Sequence, residues 1–201
     1  DGFDVKNIGK SDAVFDEKKL EWINQQYLKQ LPPEKLWENY SKWAFEKSKM
    51  IRLMELCSTR AKTYGHITDL ISFMGSVEPE QRLIDKFKIS NFQAKLLLQV
   101  ILWRLNQKNT WDKPHIEDVI KRTATDLTFN IKKKVMPVLY ATFMARPNGL
   151  PMFASIEIIG KDIGQARILN MIQFLGGFSN KEKNNVLSAY NNNDFSDLIN
   201  D

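Results

Sequence analysis

One stretch, Met136 to Gly160, constrains this chain more than any other. It runs Met136-Pro137-Val138-Leu139-Tyr140-Ala141-Thr142-Phe143-Met144 and turns through Arg146-Pro147-Asn148-Gly149. It resumes as Leu150-Pro151-Met152-Phe153-Ala154-Ser155-Ile156-Glu157-Ile158-Ile159-Gly160. This is the most apolar part of the sequence, and turn residues break it at its centre. Proline fixes φ and Asn-Gly tolerates positive φ, so no helix continues through Pro147-Asn148-Gly149. Two core helices meeting at an exposed corner are expected. Lys132-Lys133-Lys134 stands just before them. An apolar wall, a cationic approach and a glycine-bearing corner can together make a site for an unstacked base. The same residues also fit a core, a solvated charge run and a turn.

The 201 residues, 43% of them hydrophobic, suffice for one domain or two small ones. No apolar run reaches the roughly 20 residues of a membrane helix, so no membrane partner is expected. Asp1-Gly2-Phe3-Asp4 has neither the cationic segment nor the apolar core of a signal peptide, and the missing initiator Met suggests a piece cut from a longer protein. The single cysteine, Cys57, excludes an internal disulfide and fits a reducing, cytoplasmic compartment. Two histidines and one cysteine are too few for a zinc site. A net charge of +5 and a pI near 9.2 favour a polyanionic partner.

Helical spacing accounts for the chain from Asp16 onward. Residues 1–15 read as the frayed end of something removed. Asp16 is a candidate N-cap for a helix carrying Leu20, Ile23, Tyr27 and Leu31 on one face. Pro32-Pro33 ends it, and Pro33 suits the first turn of the next helix. A third helix passes Met50 to Cys57, and a fourth, Ile67 to Met74, stops at Gly75. Ser76-Val77-Glu78-Pro79 is the expected domain boundary. A short helix covers Glu80 to Phe87. Ser90 with Gln93, and Ser179 with Glu182, read as capping boxes. Between them lie an apolar helix from Ala94 to Leu105, one from Asp112 to about Thr125, the central stretch, and one from Gly164 to Leu175. No period-2 strand and no repeat is evident. The expected class is all-α, with parts at 16–77, 78–177 and a C-terminal helical extension at 178–201.

Phe15-Asp16-x-x-Lys19-Leu20-x-Trp22-x-Asn24-x-x-Tyr27 resembles the opening of the C-terminal anticodon-binding region of bacterial glutamyl-tRNA synthetases. Lys10-Ser11-x-Ala13-Val14 before it is also similar. Leu56-x-x-x-Arg60-Ala61-Lys62-Thr63 resembles the family's Arg-Ala-Lys-Thr helix end. Pro151-Met152-Phe153-x-Ser155-Ile156-x-Ile158-Ile159-Gly160-Lys161-Asp162 resembles its Pro-Leu-Phe-x-x-Leu-x-Leu-Leu-Gly-Lys-Glu segment. The matches cover about residues 10–168. The resemblance implies two small all-helical subdomains with the anticodon loop of tRNA-Glu between them, and residues 1–15 as the end of a stem-contact domain. It implies a monomer whose parent joins glutamate to tRNA with ATP and magnesium. The catalytic signatures are missing here. Gly65-His66-Ile67-Thr68 lacks the second Gly-His pair of the HIGH motif, and no KMSKS-like loop occurs. This stretch alone therefore needs no cofactor and is not expected to activate glutamate.

The resemblance also nominates residues. Arg60 matches a position where many members carry an arginine facing the third anticodon base; a guanidinium can contact a base edge or stack on its face. The bland alternative is a helix-end arginine near exposed carbonyls. Lys62 is either a phosphate contact or a solvated lysine. Gly149, Leu150, Met152 and Phe153 match the loop and helix start lining the anticodon pocket, although Phe153 reads better as core. Lys132, Lys133, Lys134 and Arg146 are candidate backbone contacts. The family's Pro-Leu-Arg is Pro137-Val138-Leu139 here, and Arg146 or Lys134 is the expected substitute for the missing arginine. Trp22, Trp37, Trp43 and Trp103 are expected in the core. Trp111 has no assigned role. The rival reading is a helical protein–protein interaction module that kept the fold and lost RNA.

Overall fold

The computed structural model describes residues 16–87 and 89–199; the expected remnant at 1–15, with its part of the family resemblance, lies outside them. The described residues form helices joined by short turns, with no strand among them, as the all-α reading expects. None of these helices is long and apolar enough to cross a membrane. The described residues divide into two compact units, one up to Lys47 and one from Ser48 onward.

In the first unit, α1 (Glu17–Gln30) starts where the Asp16 carboxylate accepts the Lys19 N–H at 3.1 Å. Leu31 and Pro32 end it, and α2 (Pro33–Ala44) follows with Pro33 in its first turn. Trp22, Trp37 and Trp43 are not core: they are 61%, 63% and 70% exposed. Tyr40 lies 6.4 Å from Trp37, 6.2 Å from Trp43 and 5.7 Å from Phe45, so these rings pack along a helix surface. Helical spacing marks an apolar face but supplies nothing to cover it.

The second unit holds α3 (Lys47–Ser58), α4 (Tyr64–Ile71), a 3₁₀ turn (Ser72–Met74), α5 (Gln81–Asp85), α6 (Asn91–Asn106) and α7 (Lys113–Asp126). A π-helical turn (Ile131–Val135) leads into α8 (Met136–Met144), α9 (Met152–Ile159), α10 (Lys161–Phe174), α11 (Asn180–Asn192) and α12 (Ser196–Ile199). Helix α6 is its axis. Leu96, Leu97, Leu98, Val100 and Ile101 point to several sides of that helix and all are buried, between α7 and α10. Helix α8 packs on α5, α9 and α10. The boundary expected at Ser76 to Pro79 falls inside this unit, because Phe73 on one side and Leu83 and Ile84 on the other share one core.

Some local expectations need correction. Gly75 has φ −83°, so the 3₁₀ turn ends α4 without using glycine's conformational freedom. Ser90 caps Gln93 N–H at 3.1 Å, but the Gln93 amide donates to the Ile199 carbonyl at 3.2 Å instead of closing a box. The Ser179–Glu182 box is complete, and hydrogen bonds from Ser179 hold the Glu182 carboxyl below its ordinary range. The C-terminal segment packs on the unit through buried Val186 and Phe195.

Trp111, which had no assigned role, joins three elements. Its indole N–H donates to the Ile156 carbonyl at 3.1 Å, while its ring lies against Gly164. Gly164 therefore sits inside α10, which begins three residues earlier than expected, and is small so that the indole fits. A Cβ there would lie 2.6 Å from Trp111 Cζ2. Alanine favours a helix over glycine by about 1 kcal/mol. Overpacking opposes that gain, and Gly164→Ala is expected to destabilise the chain by about 1–3 kcal/mol in chemical denaturation. Unchanged stability would mean that the indole yields at no cost.

Candidate nucleic-acid interface

The corner between α8 and α9 is built from the backbone outward. Helix α8 ends at Ala145, which adopts the left-handed conformation at φ 48°. This position absorbs the chain reversal that Asn148-Gly149 was expected to supply. Gly149 is needed for a different reason: a Cβ on it would lie 2.5 Å from Met144 Sδ and 3.6 Å from Tyr140 Cε1. The loop thus presses onto the last turn of α8. Tyr140 fixes it further, its hydroxyl donating to the Leu150 carbonyl at 3.2 Å. The Ser155 hydroxyl donates to the Pro151 carbonyl at 2.9 Å, stabilising the start of α9. Ser155 and Leu150 are fully buried.

Arg60 reaches this corner from the other side of the sequence. Helix α3 is anchored by Leu53 and Cys57, both buried; burial pushes the Cys57 thiol up. Its end is closed by Arg60 N–H and Ala61 N–H, which donate to the Cys57 carbonyl at 2.9 and 2.8 Å. From there the Arg60 guanidinium donates to the Gly149 carbonyl, 89 residues away in sequence. Thr63 caps α4 through the His66 N–H at 3.1 Å, and the Lys62 N–H donates to His66 Nδ1 at 3.3 Å. The Lys62 side chain is exposed.

Arg146 also lies on the corner. It makes a two-pronged contact with Asp69 of α4, at 2.7 and 3.2 Å. Hydrogen bonding from Arg146, and then its charge, hold the Asp69 carboxyl below its ordinary range. The corner therefore brings Arg60, Gly149 and Arg146 together with Asp69 and Tyr140, which sequence reasoning had not nominated. Asp69 carries no local signal, since its partner is 77 residues away. Tyr140 was legible only as part of an apolar run.

The other nominated residues separate. Leu150 and Met152 are 0% and 2% exposed, so their side chains support the corner from within the core. Phe153 is half-buried and packs on that core. Lys132 and Lys133 are exposed in the π-helical turn, where the Asn130 side chain accepts the Lys133 N–H at 2.9 Å. Lys134 turns inward: its Nζ is 4.8 Å from the centre of the Phe129 ring and donates to Gln93 Oε1 at 3.2 Å. The three lysines are thus not one charged face. Leu139 is 0% exposed within α8, so this position is core in the present chain.

The family of anticodon binding domains matches residues 18–172. The chain is 38% identical to a glutamate–tRNA ligase of Protochlamydia amoebophila, over 94% of this chain and 38% of that protein. It is 32% identical to a glutamate–tRNA ligase of Chlamydia muridarum, over the same shares. It is 31% identical to one of Pseudomonas fluorescens, over 90% of this chain and 37% of that protein. The chain therefore spans less than two fifths of the length of these relatives. A crystal structure of a glutamate tRNA ligase from Elizabethkingia meningosepticum shares the fold, with a TM-score of 0.58 and 22% identity over 86% of this chain and 35% of that one. With a family match across most of its length, the chain belongs to the anticodon-binding domain family.

Proposed function

We propose that this chain is the anticodon-recognition part of a glutamate–tRNA ligase and that its binding site is the corner at residues 145–151. The observation that carries this is the Arg60 guanidinium on the Gly149 carbonyl, with Arg146 on the same corner. Unstacked bases in RNA loops are read through their edges and by stacking on planar groups. Arg60 supplies both a planar face and several N–H donors. Its bond to Gly149 preorganises it, so less side-chain freedom is lost when a base arrives. Buried Leu150 and Met152 stiffen the loop, and half-buried Phe153 adjoins it. Lys62, Lys132 and Lys133 have exposed side chains that suit phosphate contacts, which supply affinity and position without base identity. In this reading ATP and magnesium serve the aminoacylation carried out by sequence outside this chain, and recognition passes through neither. Recognition by one monomer in the cytoplasm, with tRNA-Glu as the RNA, belongs to the same proposal.

A protein-interaction module is the contrasting reading, and salt separates the two. RNA binding weakens steeply as salt rises, whereas an apolar protein interface responds less.

Arg60→Ala is expected to weaken binding of tRNA-Glu and to narrow the gap to a tRNA changed only at the third anticodon base. The scale is about 1–3 kcal/mol, carried over from bidentate base contacts in DNA. The helices should persist, because the bond removed contributes only about 0.5–1.5 kcal/mol net. Binding of both tRNAs is measured beside thermal melting. An unchanged discrimination ratio with an intact fold would leave Arg60 as a strut of the corner alone.

Lys132→Glu with Lys133→Glu is expected to lower affinity for any tRNA and to make the salt slope shallower, by about one unit for each phosphate no longer neutralised. Discrimination between tRNAs should stay as it was. Unaltered binding at low salt would assign the two lysines to solvent.

A further inference from the structure

A second polar site lies where α7 meets the C-terminal ends of α6 and α11: a pocket of about 310 Å³. Arg104 forms its inner wall and is only 7% exposed. Its guanidinium is fixed by Thr123 Oγ1 at 3.1 Å, Asp126 Oδ2 at 2.6 Å and Asn193 Oδ1 at 3.1 Å. Asn193 stands in the left-handed conformation at φ 49°, just past the end of α11, and meets Arg104 from there. Tyr190 is held as well. Its ring centre is 4.8 Å from that of Trp103, and its hydroxyl accepts from Gln107 Nε2 at 2.8 Å. The C-terminal extension, to which the sequence assigned no role, therefore builds one wall of this pocket.

The mouth has a different character. Lys108 and Arg122 line it, are exposed, and have no ion-pair or hydrogen-bond partner among the described residues. Asp118 is the one carboxylate on the lining among the described residues. Asp126 offsets Arg104, Asp118 offsets one further cation, and one positive charge is left over. His115 Nε2 lies on the same wall, buried and with no protein partner among the described residues. Two unengaged cations at the mouth, beside a fixed guanidinium and an unpartnered ring nitrogen, suit an acceptor with several oxygens.

We propose that this pocket binds a phosphate group, either as a free anion or as part of an RNA backbone. The site is separate from the corner and does not rest on the anticodon reading. One competing explanation exists for the cations: α6 and α11 both end here, and helix C-termini favour positive charge. That explanation predicts an effect on stability without any ligand. Phosphate binding predicts saturable occupancy that depends on the mouth residues.

The test titrates inorganic phosphate, and separately a single-stranded RNA trinucleotide, into the intact chain by calorimetry at constant ionic strength set with chloride. Lys108→Ala with Arg122→Ala should weaken binding by about tenfold or more, as the charge-assisted hydrogen bonds disappear. Arg122→Gln, a milder change, should weaken it in the same direction and keeps the test valid if the double variant melts early. Lys181→Glu, at an exposed lysine outside both the pocket and the corner, should leave phosphate binding unchanged. Where the Lys108 and Arg122 variants weaken the response, binding of inorganic phosphate assigns a free anion and binding of the trinucleotide alone assigns an RNA backbone; either then supports the site. Absence of saturable binding for both ligands overturns it, as does full affinity in the Arg122→Gln and double variants.

Discussion

Arg167 holds together the segments that carry the corner. One of its guanidinium nitrogens donates to the Phe143 carbonyl at 2.6 Å, and another donates to the Phe73 and Gly75 carbonyls at 2.6 and 2.8 Å. Phe143 lies in the last turn of α8, while Phe73 and Gly75 belong to the 3₁₀ turn into which α4 runs and to its cap. The final carbonyls of a helix have no partner within it, and leaving such groups buried and unpaired is costly. Arg167, 8% exposed, satisfies them at two helix ends at once. Among the described residues no carboxylate pairs with it. Burial pulls its pKa down to about 10, which still leaves it protonated near neutral pH. Arg167 thus ties the last turn of α8 to the end of the segment that begins with α4.

The geometry of the corner follows from that placement. Arg146 meets Asp69 because α4 and the end of α8 share Arg167 as a common tie. Arg60 meets Gly149 because the loop is pressed onto Met144 and Tyr140, an approach that glycine makes without displacing Met144. The outer surface then carries the two arginines with exposed Pro147, Asn148 and Pro151, while Leu150 and Met152 sit inside. Such a surface is stiff and rich in donors. Both arginines are satisfied by protein acceptors. An arriving base or phosphate would exchange one acceptor for another, with no need to order a mobile side chain.

Much of the helical framework was legible in the sequence because its signals are local. Pro32-Pro33, the Asp16 and Ser90 caps and the Ser179–Glu182 box act within one turn, and the structure uses each of them. The strongly apolar run at residues 94–105 correctly announced a helix, and the structure buries most of its residues. What escaped was relational. Gly149 was read for its backbone freedom, but its purpose is to clear Met144, a neighbour that only the folded loop defines. The tryptophans of α1 and α2 showed an apolar face, and spacing could not say whether anything covers it. The three lysines looked equivalent, yet the π-helical turn sends Lys134 inward to Phe129 and Gln93 and leaves its neighbours in solvent. Arg167 gave no signal at all, because its acceptors are backbone carbonyls that any sequence possesses.

The most direct measurement is a nuclease footprint of tRNA-Glu bound to this chain at low salt. If the corner receives unstacked bases, the anticodon loop becomes protected while the acceptor stem stays as reactive as in free tRNA. Protection elsewhere with a fully reactive anticodon loop, or binding that leaves no footprint on that loop, would contradict the assignment of residues 145–151 as the RNA contact.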